Sequence, residues 1–236
     1  MSFELVRDNL ARVREEITRI QSVEGIDGAV CVIGVTKGHP ADAIAAAQAA
    51  GLEDIGENRV QEALGKRDAA ADVPVRWHLI GHLQSNKAKL VPGNFAVVHS
   101  VDSVKLAEAL SAAHRRARED KGYDNPPPIV LLQVNVSGEG QKSGCSPDAV
   151  EALAHAVAQM SELRLRGLMT MAPLIDDEAA QRKVFGDLRT IRDRLVAGGL
   201  TLPELSMGMS GDFPAAVAEG ATMLRLGTVL FGERQR

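Results

Sequence analysis

One lysine of this chain stands where it could act as a nucleophile. Lys37 follows the apolar run at residues 32–36, which is rich in β-branched residues and predicts a buried strand. At the end of such a strand an ammonium group can lie in a partly desolvated pocket, which lowers its pKa and makes the amine nucleophilic enough to form a Schiff base. A lysine that buries only its stem and reaches solvent with its charge is the simpler interpretation of this position taken alone.

Two glycine-containing segments near the C-terminus could bind an anion, residues 206–214 and residues 225–228. Small side chains there allow backbone N–H groups to approach a phosphate. Ser210 or Asp212 as N-cap and Pro214 in the first turn predict the start of a short helix. Each segment alone is also typical of an ordinary turn. A Schiff-base lysine together with a phosphate site indicates a phosphorylated aldehyde cofactor, for which pyridoxal phosphate is the obvious candidate.

A regular alternation of strands and helices must position these segments. Predicted strands cover residues 29–37, 54–58, 75–81, 96–102, 128–137, 164–171, 204–210 and 223–232. Predicted helices cover residues 41–50, 59–70, 84–91, 103–121, 147–160, 177–197 and 212–219. Successive strands start about 19 to 40 residues apart, a spacing typical of parallel strands that are joined by helices.

Strands of continuous apolar character favour a closed (β/α)8 barrel of the TIM type over an open sheet. In such barrels active sites lie at the C-terminal ends of the strands, and phosphate often binds after the seventh and eighth. No linker divides the chain, so we expect a single domain over residues 1–236. An amphipathic helix is expected before the barrel. One helical stripe carries Phe3, Val6, Leu10, Val13, Ile17 and Ile20.

The composition is that of an ordinary globular protein. The net charge of -4 gives no basic surface for nucleic acid, and no apolar stretch approaches the ~20 residues that span a bilayer. The N-terminus lacks a signal-peptide pattern, so we expect a cytoplasmic protein without nucleic-acid or membrane partners. Cys31 and Cys145 are too few for a disulfide framework or a metal set and are expected to be reduced. The methionines expected to fill the core are Met169, Met171, Met207 and Met209.

Several polar residues gather around the end of the third predicted strand: His78, His82, Gln84, Asn86 and Lys87. Although the two histidines are four residues apart, the chain between them leads from a strand into a loop, which disfavours a metal site on a helix face. We expect His78 to be a hydrogen-bonded core residue. Gln84 and Asn86 either shape the mouth of the barrel or cap the following helix.

The chain resembles the pyridoxal phosphate homeostasis proteins, single-barrel relatives of the N-terminal domain of alanine racemase. The motifs that carry this resemblance span nearly the whole sequence. They lie at residues 34–37 (GVTK), 56–58 (GEN), 77–87 (WHLIGHLQSNK), 166–169 (RGLM), 206–210 (SMGMS) and 225–232. The resemblance implies a non-catalytic protein that binds pyridoxal 5'-phosphate for intracellular vitamin B6 homeostasis, holding the cofactor on a lysine and buffering or delivering it.

The resemblance also implies roles for individual residues. Lys37 would form the Schiff base, Ser210, Gly227 and Thr228 would bind the phosphate, and Arg225 would face the pyridine nitrogen. A guanidinium beside that nitrogen disfavours its protonation, which weakens the ring as an electron sink for carbanions. Such a site is better suited to binding the cofactor than to catalysis that forms a carbanion.

Asn58 ends the second predicted strand and has two interpretations of equal weight. Its amide could hydrogen-bond near the ring hydroxyl or the Schiff base, or it could cap the following helix.

An amino-acid racemase dependent on pyridoxal phosphate is the alternative function. Racemisation in the enzyme that the chain resembles needs a second base, a tyrosine delivered from a partner's additional β domain. We expect no such domain after Arg236, and the single tyrosine, Tyr123, precedes the fifth predicted strand and therefore lies at the opposite end of the barrel. His78 or Lys87 could replace that base. A barrel acting on sugar phosphates is a third possibility, but it leaves Lys37 without a role.

A second lysine could take part in releasing the cofactor. Lys142 lies in the glycine-rich loop after the fifth predicted strand, on the same face as Lys37. We hypothesise that it is a secondary acceptor for the aldehyde during transfer; a solvated loop lysine is the simpler interpretation. Apo-enzymes are the expected recipients, and the protein is expected to be a monomer.

Overall fold

Eight parallel strands close into a barrel in which each strand pairs with its neighbours in chain order. The computed structural model describes residues 3–122, 126–138, 143–173 and 176–233. The strands are β1 (Cys31–Val35), β2 (Asp54–Glu57), β3 (Arg76–Leu79), β4 (Val97–Val101), β5 (Ile129–Gln133), β6 (Arg164–Met169), β7 (Glu204–Ser206) and β8 (Met223–Leu226). The pairing of β1 with β8 completes the barrel, so the prediction of a (β/α)8 fold is confirmed.

Helices alternate with the strands and cover the outside of the barrel. They are α1 (Val6–Glu24), α2 (Asp42–Ala49), α3 (Val60–Ala69), α4 (Val104–Lys121), α5 (Val150–Ala158), α6 (Glu178–Ala197), α7 (Phe213–Ala218) and α8 (Thr228–Phe231). A 3-10 helix at Ser85–Leu90 stands between β3 and β4. Among the described residues no helix combines the length and the apolar character needed to cross a membrane.

The predicted opening helix is present, and it covers the barrel beside α8. The buried residues of α1 lie on the predicted stripe: Val6, Leu10, Val13, Ile17 and Ile20. Phe3 lies before the helix and packs its ring edge-on against Phe231 and His39. Because α8 has only four residues, the 19 residues of α1, which pack against α2, α7 and α8, supply much of the cover on that side.

The prediction of the last strand was wrong in its second half. The apolar composition of residues 228–231 suggested that β8 continues, but these residues form α8. The chain leaves the strand direction at Gly227, whose carbonyl accepts the N–H groups of Leu230 and Phe231. Both side chains are buried in the core outside the barrel. The seventh strand also ends early, at Ser206, so residues 207–210 form a loop at the mouth.

Buried apolar residues fall into two separate groups. The larger group lies between the barrel and its helices and includes Ile44, Leu110 and Phe185. The smaller group consists of residues on five different strands: Ile33, Val97, Leu131, Met169 and Met223. Alternate strand residues point to opposite faces, so this second group fills the inside of the barrel.

Gly167 provides a test of how closely β6 approaches β7. A Cβ atom at this position would overlap the backbone carbonyl of Glu204 in the neighbouring strand. We expect Gly167→Ala to lower the free energy of unfolding by about 3 kcal/mol, since backbone atoms cannot move aside cheaply. The exposed Gly65 in α3 has open space around its Cβ position, so Gly65→Ala should raise stability by about 0.5–1 kcal/mol. Urea unfolding measures both variants, and equal effects would contradict this packing.

Candidate functional site

A cavity of about 660 Å³ opens at the C-terminal ends of the strands. Its walls come from the segments that follow β1, β2, β3, β6, β7 and β8, and they include all six residues predicted to bind the cofactor: Lys37, Asn58, Ser210, Arg225, Gly227 and Thr228. Two further cavities, of about 590 and 520 Å³, lie at the N-terminal ends of the strands. Of the three, the C-terminal cavity combines a lysine and a buried arginine with converging backbone amides, so we take it as the candidate site.

The backbone next to Lys37 is held by a buried ion pair. Nζ of Lys66 donates to the carbonyl oxygen of Thr36, which directly precedes Lys37, and to Oε1 of Glu57, at 2.6 Å in each case. The hydroxyl of Thr36 donates to the same carboxylate oxygen at 2.6 Å. These contacts join the end of β1 to β2 and α3. They therefore fix the point from which the Lys37 side chain enters the cavity.

The Glu57 carboxylate is buried to an unusual degree. Its side chain has no exposed surface, and Oε2 has no hydrogen-bond partner among the described residues. Burial raises the pKa of Glu57 above its usual value, although the hydrogen bonds from Lys66 and Thr36 favour the charged form. Glu62 also accepts from Lys66, at 2.9 Å, so the ammonium lies between two carboxylates.

Backbone amides converge near the start of α8. The N–H groups of Gly227 and Val229 both donate to Oγ of Ser210, at 3.2 and 3.3 Å. The loop after β7 reaches this point through Gly208, whose φ of 93° and close contact with Ala216 exclude a side chain. Ser210 therefore lies where amides and hydroxyls can meet an anion.

Asp212 precedes α7, but it does not cap that helix with its side chain as predicted. Its carboxylate instead accepts the N–H of Met209 and closes the loop after β7. Pro214 lies in the first turn of α7 as expected. The Asp212 side chain bonds backwards because the loop turns back on itself before the helix begins.

Arg225 is the cation in the floor of the cavity. It projects from β8, has only 4 % of its surface exposed, and donates through Nη1 to Ser206 Oγ at 2.7 Å and through Nη2 to the carbonyl of Thr170 at 2.8 Å. Burial lowers the pKa of Arg225 to about 10, while the charge of Asp212 acts in the opposite direction. The guanidinium thus remains charged at neutral pH.

Asn58 lies on the cavity wall rather than on the following helix. The residue before α3 is Arg59, and this helix has no side-chain cap. Gly81 packs so closely against the backbone of Asn58 that a Cβ atom there would overlap it. Of the two interpretations of Asn58, the structure favours the one that places it in the site.

Other predictions for polar residues have mixed outcomes. His78 is 2 % exposed and hydrogen-bonded inside the barrel, as expected. Gln84 precedes the 3-10 helix but makes no capping bond to it, so that alternative was wrong for Gln84. Cys31 and Cys145 are both free thiols.

The methionines divide between the core and the cavity. Met169 and Met207 are buried in the core as predicted. Met171 packs against the apolar group inside the barrel, as predicted, and also lines the cavity. Met209 lines the cavity as well, where apolar side chains can face a ring. Tyr123 and Lys142 lie outside the described residues, and the hypothesis on Lys142 stays a prediction.

Several residues that shape the site were not singled out from the sequence. Glu57 and Lys66 belong to elements that were predicted, but only the pairing of β1 with β2 and the position of α3 bring them to Thr36. His99 had a signal, since it is a histidine within the apolar strand β4. Ser206 was identified only as part of a glycine-containing segment.

Comparisons with known proteins agree with this geometry. Residues 9–235 match the family model of the alanine racemase N-terminal domain. A pyridoxal phosphate homeostasis protein of Pseudomonas aeruginosa is 47% identical over 230 residues, covering 97% of this chain and 96% of that protein. The chain belongs to the pyridoxal phosphate homeostasis protein family.

Solved structures of similar proteins extend the comparison. PipY of Synechococcus elongatus, solved with pyridoxal phosphate bound, has a TM-score of 0.82 and 39% identity, with 96% of this chain and 100% of PipY covered. Alanine racemase of Clostridium difficile has a TM-score of 0.72 and 15% identity; the match covers 97% of this chain and 58% of the racemase. That second likeness shows the fold alone.

The pair of Glu57 and Lys66 gives a stability prediction for this family member. Glu57→Gln keeps an acceptor for Thr36 but removes the charge opposite Lys66, so we expect a loss of about 2 kcal/mol in the free energy of unfolding. Glu16→Gln removes a charge from an exposed pair with Arg19 and should leave stability unchanged within error. Urea unfolding compares them, and equal losses would show that the buried pair does not support the end of β1.

Proposed function

We propose that this chain is a non-catalytic pyridoxal 5'-phosphate binding protein of intracellular vitamin B6 homeostasis. In this proposal Lys37 holds the cofactor as a Schiff base, and the protein buffers it or delivers it to other proteins. One observation carries the proposal: the cavity at the C-terminal ends of the strands combines Lys37, Arg225 and the amide cluster around Ser210. Pyridoxal phosphate bound in PipY supports the same cofactor here.

The residues of the cavity fit the parts of this cofactor. Pyridoxal phosphate supplies an aldehyde that an amine can trap and a ring that can withdraw electrons. The N–H groups of Gly227 and Val229 hold Oγ of Ser210, so the hydroxyls of Ser210 and Thr228 can donate to a phosphate at one side. Met171 and Met209 offer apolar contacts for a ring. Lys37 follows β1, which pairs with β8, so the amine and the phosphate donors after β8 belong to neighbouring strands.

Arg225 favours storage over catalysis. A guanidinium donates hydrogen bonds and cannot accept a proton, so it stabilises a ring nitrogen in its unprotonated form. An unprotonated ring withdraws electrons weakly from a carbanion at the substrate. Arg225 therefore binds and orients the ring without activating it for proton abstraction.

A racemase would need a second base in the cavity, and two candidates are poorly placed for this role. His78 lies inside the barrel, hydrogen-bonded to Asp54 and His99. The half-buried Lys87 donates to Gln61 at 3.3 Å. Neither residue lines the cavity, which favours the carrier over the racemase.

The proposal also covers the domain organisation, the oligomeric state, the location and the recipients of the cofactor. We propose a single domain, a monomer and a cytoplasmic location, with apo-enzymes as recipients. Lys142 remains our candidate for a secondary acceptor of the aldehyde during transfer.

Attachment to Lys37 can be located by mass spectrometry. The protein is incubated with pyridoxal phosphate, reduced with borohydride and digested, and we expect the adduct on Lys37, since its amine lines the cavity. Lys105 is an exposed lysine of α4, so Lys105→Ala is a matched control that should keep the adduct, whereas Lys37→Ala should lose it. An adduct confined to other lysines in the wild-type protein would defeat the proposal.

Recognition of the phosphate is tested with two ligands. Ser210→Ala combined with Thr228→Val removes two hydroxyls while keeping side-chain volume nearly constant. We expect at least about tenfold weaker retention of pyridoxal phosphate, because hydrogen bonds to a charged group are lost. Retention of unphosphorylated pyridoxal should hardly change. Equal weakening for both ligands, measured by equilibrium dialysis, would mean that these residues do not bind the phosphate.

A further inference from the structure

A line of hydrogen bonds runs through the inside of the barrel from the cavity floor to the opposite end. Nη1 of Arg225 lies 2.7 Å from Ser206 Oγ, and that oxygen lies 2.8 Å from Nδ1 of His99. Nε2 of His99 lies 2.9 Å from Nδ1 of His78. Nε2 of His78 lies 2.8 Å from Oδ1 of Asp54. Four consecutive hydrogen bonds thus join the arginine of the cavity to a carboxylate of β2.

The line crosses the interior and does not follow the sheet. Ser206 is on β7 and His99 on β4, two strands that are not neighbours in the barrel, so their contact passes through its centre. The residues are all buried, with exposed fractions between 0% for His99 and 5% for Asp54. Buried polar groups of this kind are costly unless each donor meets an acceptor.

The two ends of the line fix the direction of its first and last bonds. A guanidinium can only donate, so Ser206 Oγ accepts from Arg225 and has its own proton left to give. At the other end Asp54 also accepts two bonds from the Arg76 guanidinium, at 2.8 and 2.7 Å. Burial alone would raise the pKa of Asp54, but the bonds from His78 and Arg76 hold it well below its usual range. An ionised carboxylate accepts, so Nε2 of His78 donates.

The middle of the line then has one arrangement in which both imidazoles are neutral. Burial, together with the nearby His78 and Arg225, lowers the pKa of His99 well below its usual value. With neutral rings, Nδ1 of His78 accepts from Nε2–H of His99, and Nδ1 of His99 accepts the Ser206 proton. Every donor in the line then points away from the cavity. The alternative reverses the middle bonds and needs a cationic His78.

We propose that Ser206, His99 and His78 are positioning residues that hold the Arg225 guanidinium in the orientation in which it meets the cofactor ring. The proposal rests on the proposed function, since it gives Arg225 a ligand to meet. Ser206 accepts from Arg225, and its hydroxyl is held in that orientation because it donates to His99, which in turn donates to His78. The carbonyl of Thr170 holds the second nitrogen, Nη2.

This arrangement has a consequence for the cavity. Two of the five N–H groups of Arg225 have protein acceptors on the cavity floor, Ser206 Oγ and Thr170 O. These two hydrogen bonds anchor the planar guanidinium along one edge and restrict its rotation. Loss of the Ser206 acceptor removes one of the two anchors without removing the charge.

The direction of the line is measured without any cofactor. Two-bond ¹H–¹⁵N NMR of the side chains, assigned with His78→Phe and His99→Phe, reports which nitrogen of each histidine carries the proton. We expect both rings to be neutral with the proton on Nε2. A cationic His78, or a proton on Nδ1 of His99, would overturn the proposed direction.

The effect on the cofactor is measured with two matched serine variants. Ser206→Ala removes the anchor, and we expect about five- to tenfold weaker binding of pyridoxal phosphate with a shifted absorption maximum of the bound form. Ser100 is also buried on a barrel strand, but its hydroxyl donates to the carbonyl of Gly81 outside the line. Ser100→Ala should therefore leave the absorption maximum and the dissociation constant unchanged.

The outcomes separate this inference from the proposed function. Equal behaviour of Ser206→Ala and Ser100→Ala, with both variants unfolding at similar urea concentrations, would overturn the positioning role. If the wild-type protein binds no pyridoxal phosphate, the proposed function fails, while the NMR measurement still decides the direction of the line.

Discussion

The burial of one arginine charge governs the interior of this barrel. The guanidinium of Arg225 cannot shed its charge at neutral pH, so the protein must supply acceptors inside an otherwise apolar barrel. It does so with Ser206 and the carbonyl of Thr170. The serine in turn needs the histidines, and these need Asp54. The buried Arg225 thus heads a line of polar residues on four other strands, β7, β4, β3 and β2, where branched apolar residues would otherwise be expected.

A second buried charge is paired beside Lys37, at the end of the neighbouring strand β1. Glu57 and Lys66 neutralise each other and together hold the Thr36 backbone. The third support is the loop after β7, shaped by Gly208 and closed by Asp212. The backbone before Lys37, the Arg225 guanidinium and the loop that carries Ser210 are therefore each held by a separate set of contacts. A site built this way is preorganised for binding.

The sequence predicts most of the barrel, and it predicts that Lys37 and the two glycine-containing segments meet at one end, because strand ends of a closed barrel share one face. The part given to Arg225 came only from the family resemblance. The sequence does not predict α8, since the apolar residues 228–231 fit a strand and a short buried helix equally well. The line of hydrogen bonds inside the barrel is not predicted from the sequence either. His99 and Ser206 are 107 residues apart, and their contact depends on register across the barrel rather than on any local pattern. The bond made by the Asp212 side chain is not predicted either. An aspartate before a helix can accept from N–H groups of the helix or, as here, from an N–H group of the preceding loop.

In the proposed function Arg225 holds the cofactor ring in an unprotonated state, suited to storage. The direct measurement is ¹⁵N NMR at neutral pH of the wild-type protein loaded with pyridoxal phosphate that carries ¹⁵N in the ring. We expect the resonance of an unprotonated pyridine nitrogen that accepts a hydrogen bond. A pyridinium resonance would contradict it, because a protonated ring nitrogen cannot lie against the Arg225 guanidinium.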